Sequence, residues 1–451
     1  MKTLAQIAAE LDGYDPQALS ANDVLRFLAK LVAPVQDASD MPLFEALGRV
    51  LSADVISPFD VPPHDNSAMD GYAFDGQQLS DAPLTLQVVG TAFAGKVWQG
   101  EVKPGQCVKI MTGAIMPAGL NTVVPQEFVS ADKQNITIPA KLLKAGDNRR
   151  HRGEDLMQGK PALLKGELLT PARLGLAASL GLKTVPCYRR LLVAYFSTGD
   201  EILSLGEPPR EGAVYDSNRY TVYGLLTRLG CQVIDMGVVR DDPAALEAAF
   251  TQAAAQADAI ITSGGVSVGE ADHTKAMMKK LGDVAFWRIA MRPGRPMAVG
   301  RIKKAVLEPI SCIKSASSPI DSGASSYKNN STQNDAILFG LPGNPVAVMV
   351  TFLAFVRPAL LQMMGATATP QPLLKARSLE AMRKKPGRTE YQRGWVSTAA
   401  DGTLEVKTTG YQGSGVLSSM AQANGLIVLH HAQGNVAVGD ALDVLMFDGV
   451  I

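Results

Sequence analysis

Between residues 188 and 366 the chain alternates short, nearly continuous apolar runs with longer amphipathic stretches. The runs 191–196, 259–262 and 336–341 hold few polar residues, as strands covered on both faces do. Residues 232–239 and 297–299 read as further strands. Helices are expected near 219–229, stopped by Gly230, and over 244–255, with Asp242 as cap and Pro243 at the first helical position. A third is expected near 273–281, stopped by Gly282. Strands alternating with helices in this way predict a doubly wound α/β domain over 188–366.

The flanks have other textures. Residues 1–57 read as helical from the spacing of Leu25, Leu28 and Leu31, and helical periodicity returns at 171–180 behind Thr170 and Pro171. Residues 1–57 and 146–187 are therefore grouped as one helical and linker subdomain. Strand-like runs at 84–89 and 135–138, separated by Gly and Pro, predict a β-rich insert over 58–145. Runs at 425–429 and 441–445 suggest a small β-barrel or sandwich over 367–451, and the barrel is the expected form. The fold class is thus α/β plus β, in a multidomain chain. One segment breaks the pattern: residues 303–335 carry eight serines between Ser311 and Ser331 and few large apolar residues, so they read as a disordered surface insertion.

Composition narrows the function. Lys plus Arg number 43 and Asp plus Glu 43, so the formal net charge is zero and the basic footprint of a nucleic-acid binder is missing. The cysteines Cys107, Cys187, Cys231 and Cys312 form no C-x-x-C pair and read as reduced thiols, and the five histidines have no zinc-ligand spacing. The N-terminus has no signal-peptide core. The longest apolar run, 346–356, stops at Arg357-Pro358, too short for a membrane span. Together these features predict a cytoplasmic protein without a membrane segment.

Three of the apolar runs end in small polar loops: Ser197-Thr198-Gly199-Asp200-Glu201, Ser263-Gly264-Gly265-Val266-Ser267-Val268-Gly269, and Pro342-Gly343-Asn344-Pro345. Ligands of open parallel sheets bind at the carboxyl ends of the strands, and such loops, each leading into a helix, offer backbone N–H groups to an anion. Residues 60–73 form a turn-rich stretch with Asp65, Asn66, Ser67 and Asp70. Its residue types fit a self-bonded structural turn as well as a functional loop.

These stretches resemble the signature motifs of the molybdopterin molybdenumtransferase family, the bacterial MoeA proteins and the gephyrin E domain. The likeness includes residues 60–73, Met111-Thr112-Gly113-Ala114, Gly153-Glu154-Asp155, the three loops above, Met291-Arg292-Pro293-Gly294-Arg295-Pro296, Gln412-Gly413-Ser414 and Leu417-Ser418-Ser419. It runs in the family's order over nearly the whole chain except 303–335. The resemblance implies the last step of molybdenum cofactor synthesis: adenylylated molybdopterin and molybdate react, AMP leaves, and molybdenum ends on the dithiolene. It also implies an elongated homodimer with a MoaB/Mog-like α/β domain. The active site would lie between the α/β domain of one subunit and the β-rich domain of the other.

Carried over by that resemblance, Asp70, Glu201, Asp241 and Asp272 are the catalytic carboxylates, with Mg2+ on Asp70, Glu201 and Asp272. Substrate contacts fall on Thr112, Asp155, Ser197, Thr198, Gly199, Asp216, Asn218, Ser263, Gly264, Gly265, Ser267, Gly269, Arg288, Pro342, Gly343, Asn344 and Pro345. Arg292, Arg295, Arg393 and Ser414 would hold molybdate, since planar guanidinium donors suit oxyanions. For Asp216 and Asn218, helix capping and pterin contact are both open, and Asp241 can equally support the cap at Asp242. The chain departs from many relatives at Arg288, Arg292 and Arg295, where they carry lysine, and at Ala347, where they carry serine. Asn121 and Gly415 also depart, from a common Asp and His. Two other functions compete: molybdopterin adenylyltransferase, which needs neither the insert nor the C-terminal domain, and a non-catalytic scaffold of the gephyrin type. The adenylyltransferase and cofactor-accepting enzymes are the expected partners.

Overall fold

Six strands form the central sheet, in the order Gln232–Val239, Leu192–Thr198, Ala259–Ser263, Ala336–Leu341, Pro296–Ile302 and Gly282–Arg288. The first four run parallel, and Pro296–Ile302 runs against both its neighbours. This computed structural model describes residues 2–266, 273–304, 335–367 and 370–447. Residues 305–334, nearly all of the serine-rich insertion, lie outside the described residues.

Alternation along the strands fills two cores. Val193, Tyr195 and Ile261 join one, with Val222 and Leu226 of Ser217–Leu229. Ala194, Phe196 and Ile260 join the other, with Phe250 of Pro243–Gln256 and Met278 of His273–Leu281. Strands with helices on both faces are the doubly wound design that apolar runs announce. The helix boundaries have local causes. Asp242 accepts from Ala245 N at 2.9 Å, Pro243 needs no partner for a missing N–H, and Gly230 ends Ser217–Leu229 with φ +89°.

Two expectations are corrected. Residues 1–57 are not helical throughout. Ala21–Leu31 buries Val24, Phe27, Leu28 and Leu31, while Leu25 lies on the exposed side. Beyond Pro34 the chain turns extended: Ala38–Pro42 pairs with Thr184–Tyr188, and Val55–Ile56 with Pro161–Leu163. These strands and helix Pro171–Ser179 bury a small core of their own. Helices Leu4–Ala9 and Ala21–Leu31 instead dock on the α/β layer, where Arg301 donates to Lys2 O at 2.6 Å and Leu31 O at 2.9 Å. The second correction concerns the apolar run that was expected to stop at Arg357-Pro358. It continues as a 19-residue helix, Pro345–Met363, through a π turn at Phe352–Val356. Pro358 falls in the first turn of Arg357–Met363, where its missing N–H is tolerated because the π turn has already broken the regular bonding. Length and apolarity would let this helix cross a bilayer, yet 67% of its apolar window is buried, against Ala21–Leu31 and Ser217–Leu229.

The β-rich insert is a six-stranded sheet ordered Thr122–Pro125, Gly71–Phe74, Gln106–Ile110, Leu84–Ala92, Asn135–Ile138 and Ser130–Asp132. At the other end of the chain, Thr389–Thr398, Leu404–Thr408, Leu374–Ser378, Ala441–Met446 and Gly425–Leu429 close into a barrel, because the last also pairs with the first. Met291–Arg292 adds to Thr389–Glu390, tying an α/β-domain loop to the barrel wall.

Candidate active site

Leu192–Thr198 leads through Ser217–Leu229 to Gln232–Val239 on one side, and Pro243–Gln256 returns the chain to Ala259–Ser263 on the other, so the two connections run in opposite directions. A crevice opens at such a switch point. Glycine builds it. A Cβ on Gly264 would lie 2.5 Å from Thr198 O, and one on Gly265 2.5 Å from Thr274 Cβ, at φ +94° and +63°. At Gly199 a Cβ would meet Glu201 Oε2 at 2.6 Å. The loops at 197–201 and 263–265 therefore approach backbone to backbone, and Gly264 N donates to Leu341 O at 3.1 Å. Gly343 adjoins Gly264, so the third loop lies beside them.

Two buried acceptors border these loops without partners. Asp216 Oδ1 accepts from Arg219 N at 3.1 Å and caps the helix, while Oδ2 is buried and unpaired. Asn218 Nδ2 donates to Gly343 O at 2.7 Å, and its Oδ1 is also buried and unpaired. Capping thus accounts for only one oxygen of Asp216. Buried polar atoms are nearly always bonded, so these two acceptors suit N–H or O–H donors of a ligand. Asp241 bridges loop 197–201 and helix His273–Leu281 by long contacts: its N donates to Asp200 Oδ1, and Thr274 Oγ1 donates to its Oδ1, both at 3.4 Å. Glu201 is exposed. Ser267, Gly269 and Asp272 lie outside the described residues. Among the described residues no group of three or more His, Cys, Asp or Glu side chains is placed to hold a metal ion.

A cavity of about 620 Å3 opens between the α/β domain and the barrel. Arg292, Arg295, Asn344, Ala347, Gln412 and Ser414 line it, with Pro342, Gly343 and Tyr411. Val346 N donates to Ser414 O at 3.1 Å and fixes the barrel loop over the start of Pro345–Met363. Arg393 stands behind this wall. It is 1% exposed, and its Nε donates to Ser419 Oγ at 2.9 Å, its Nη2 to Gly413 O at 2.9 Å and to Tyr411 O at 3.3 Å. Burial and the neighbouring charge of Arg292 pull Arg393 down to about 10. The second cation behind Arg292 makes this wall more positive. Arg288 is exposed at the end of the edge strand Gly282–Arg288 and does not line the cavity. Tyr411 and Gln412 were not singled out in the sequence as site residues, nor was Ser419 as the brace of Arg393. Their place in the motif around Ser414 was the available signal.

The third group lies on the insert. Thr112 donates to Asp70 Oδ1 through both its N and its Oγ1, each at 2.7 Å. The Thr112 N–H, then its hydroxyl, hold the Asp70 carboxyl below its usual range. Asp155 N donates to Val61 O at 3.0 Å, and Asn66–Ser67 pairs with Arg149–Arg150, so residues 60–73 and 149–155 form one surface. The arginines here are partnered: Arg149 with Asp65, Arg150 with Glu154, and Arg152 with Asp60. Among the described residues no hydrogen bond or ion pair joins this surface to the α/β crevice.

Comparison with known proteins follows the same division. Family models match residues 19–181 as "MoeA N-terminal region (domain I and II)", 194–362 as "Probable molybdopterin binding domain" and 375–447 as "MoeA C-terminal region (domain IV)". The chain is 39% identical over 427 residues to a molybdopterin molybdenumtransferase of Haemophilus influenzae, covering 94% of this chain and 98% of the relative. A molybdopterin molybdenumtransferase of Nostoc is 34% identical, over 95% of this chain and 92% of its own length. Among solved structures, the molybdopterin biosynthesis moeA protein of Pyrococcus horikoshii superposes with a TM-score of 0.72 at 26% identity, covering 95% of this chain and 100% of that one. By these matches the chain belongs to the molybdopterin molybdenumtransferase family.

Proposed function

We propose that this protein transfers molybdenum from molybdate to adenylylated molybdopterin and releases AMP. The observation that carries the reading is the adjacency of a glycine-built crevice at the carboxyl ends of the strands, on Gly264, Gly265 and Gly343, to an arginine-lined cavity beyond Gly343 and Asn344. One substrate contains a phosphoanhydride and the other is a dianion, so the two sites match them in kind.

The roles divide by chemistry. Backbone N–H groups of the loops 197–201 and 263–265 receive the anhydride oxygens, Gly264 N excepted, since it donates to Leu341 O. The free acceptors of Asp216 and Asn218 take donors of the pterin. Arg292, Arg295 and Ser414 face molybdate, while Arg393 adds positive potential and braces the 411–414 loop. A volume of about 620 Å3 leaves room for part of the organic substrate beside the oxyanion. Magnesium, when bound, neutralises anhydride oxygens. Glu201 and Asp241 are carboxylates of the right kind at the crevice, and Asp272 belongs to the set by family resemblance. Asp70, with Thr112 and Asp155, reaches the crevice from a second copy of the chain. The active unit is thus a homodimer with shared sites, working in the cytoplasm with the enzymes before and after it in the pathway.

The test is direct incubation with adenylylated molybdopterin, molybdate and magnesium. The expected result is AMP release coupled to active cofactor. Adenylylation of molybdopterin by ATP would mark the adenylyltransferase instead. Neither activity, with retained partner binding, would mark a scaffold.

A further inference from the structure

Tyr195 places a hydroxyl inside the otherwise apolar run 192–196, and it is 1% exposed. Ser197 lies two residues on and turns to the same face. Ser263 is the register partner of Ser197 on the neighbouring strand. The phenol oxygen is 2.9 Å from Ser197 Oγ and 2.8 Å from Ser263 Oγ, and the serine oxygens are 3.2 Å apart. Ser197 and Ser263 are 2% and 3% exposed. This triangle underlies the two loops whose glycines bring their backbones together.

Three hydroxyls carry three protons. A ring of three oxygens is too acute for every bond to be well directed, so the 3.2 Å leg is the weak one. Either oxygen of each contact can donate, and the phenol, the strongest acid of the three, is the better donor, which favours the arrangement in which it donates to Ser263. Ser197 in turn donates to the phenol oxygen. The proton of Ser263 is then left with the weak leg, or with any better acceptor above it. Burial pushes the Tyr195 phenol far up, so it stays a donor at neutral pH. Hydrogen bonds in such a chain strengthen one another.

We propose that Tyr195 is a positioning residue for the phosphoanhydride, acting through Ser263 to aim that hydroxyl at an anionic oxygen of the bound substrate. The order is Ser197 to Tyr195 to Ser263 to substrate. This rests on the function proposed above.

The experiment compares wild type, Tyr195→Phe, Ser263→Ala and the double variant for binding of adenylylated molybdopterin and for the KM of each substrate. Phe keeps the ring and its packing, and thermal melting checks the fold. Tyr195→Phe is expected to weaken binding of the adenylylated pterin about fivefold and Ser263→Ala about tenfold. The double variant should be no weaker than Ser263→Ala, and the KM for molybdate should not move. Wild-type binding by Tyr195→Phe would overturn the proposal, as would additive losses or an equal rise in the molybdate KM. Where Tyr195→Phe does not fold, Ser263→Ala carries the test, and unchanged binding there overturns it too. A wild-type protein that fails to bind the adenylylated pterin overturns the underlying function, and this inference with it.

Discussion

At the α/β crevice Asp216 and Asn218 are buried and each holds an acceptor without a partner, whereas Asp70 on the insert is exposed and its Oδ1 is already bonded. Asp216 Oδ2 and Asn218 Oδ1 are buried and unpaired. Asp70 holds both donors of Thr112 at 2.7 Å and faces solvent. A buried orphan is costly, by about 1–3 kcal/mol, and persists where a ligand relieves it. An exposed, preformed carboxylate has no such need of its own chain. Under the proposed function, Asp216 and Asn218 belong to the half of the site that receives substrate, and Asp70 to the half that a second copy supplies.

Breaking the receiving half should have the largest effect. Arg393→Ala removes the donors that hold Tyr411 O, Gly413 O and Ser419 Oγ and a cation beside Arg292. Molybdate-dependent turnover should fall about 10²–10³-fold, with melting lowered as well. Loss of melting temperature alone, with turnover intact, would reduce Arg393 to a structural brace. Next comes Gly264→Ala. At φ +94° with a Cβ 2.5 Å from Thr198 O, it should lose about 1–3 kcal/mol in chemical denaturation and splay the two loops. An unchanged midpoint would mean the loops yield easily.

Asp216→Asn sharpens the comparison. Asn caps helices about as well as Asp, so stability should stay within about 0.5 kcal/mol. The unpaired acceptor is lost, however, and binding of the adenylylated pterin should weaken about tenfold. If stability falls and binding does not, Asp216 is only a cap. The smallest effect belongs to the insert. The two Thr112 donors depress the Asp70 pKa, so this link is complete above the ordinary Asp range and is lost only as pH falls through the lowered value. Thr112→Val removes the hydroxyl but keeps the N–H. The Asp70 carboxyl should then titrate at higher pH, though still below the usual range, as followed by NMR. No change would leave the backbone donor as the whole cause.

Much of the crevice could be read in the chain, because it is local. An apolar strand, a glycine loop and a following helix are contiguous, so loops 197–201, 263–265 and 342–345 stood out, as did the caps at Asp216 and Asp242. What escaped depends on distant neighbours. Ala38–Pro42 is extended because it pairs with Thr184–Tyr188, some 140 residues away, and not because of its own preferences. Pro345–Met363 outruns Arg357-Pro358 because neighbouring helices cover it and a π turn absorbs the proline. Arg393 turns Nη2 to the loop at 411–414 and Nε to Ser419, contacts that no local pattern announces. Nothing in the linear order announces that Tyr195 meets both Ser197 and Ser263.

Subunit mixing tests the shared site most directly. Asp70→Asn and Glu201→Gln are each expected to be inactive alone, since each spoils both sites of its own dimer. After exchange, a mixed dimer has one site with both native carboxylates and one with neither, so an equimolar mixture should regain about a quarter of wild-type AMP release. No recovery, with subunit exchange confirmed by mass spectrometry of the intact dimers, would contradict the account and place both carboxylates in one chain's site.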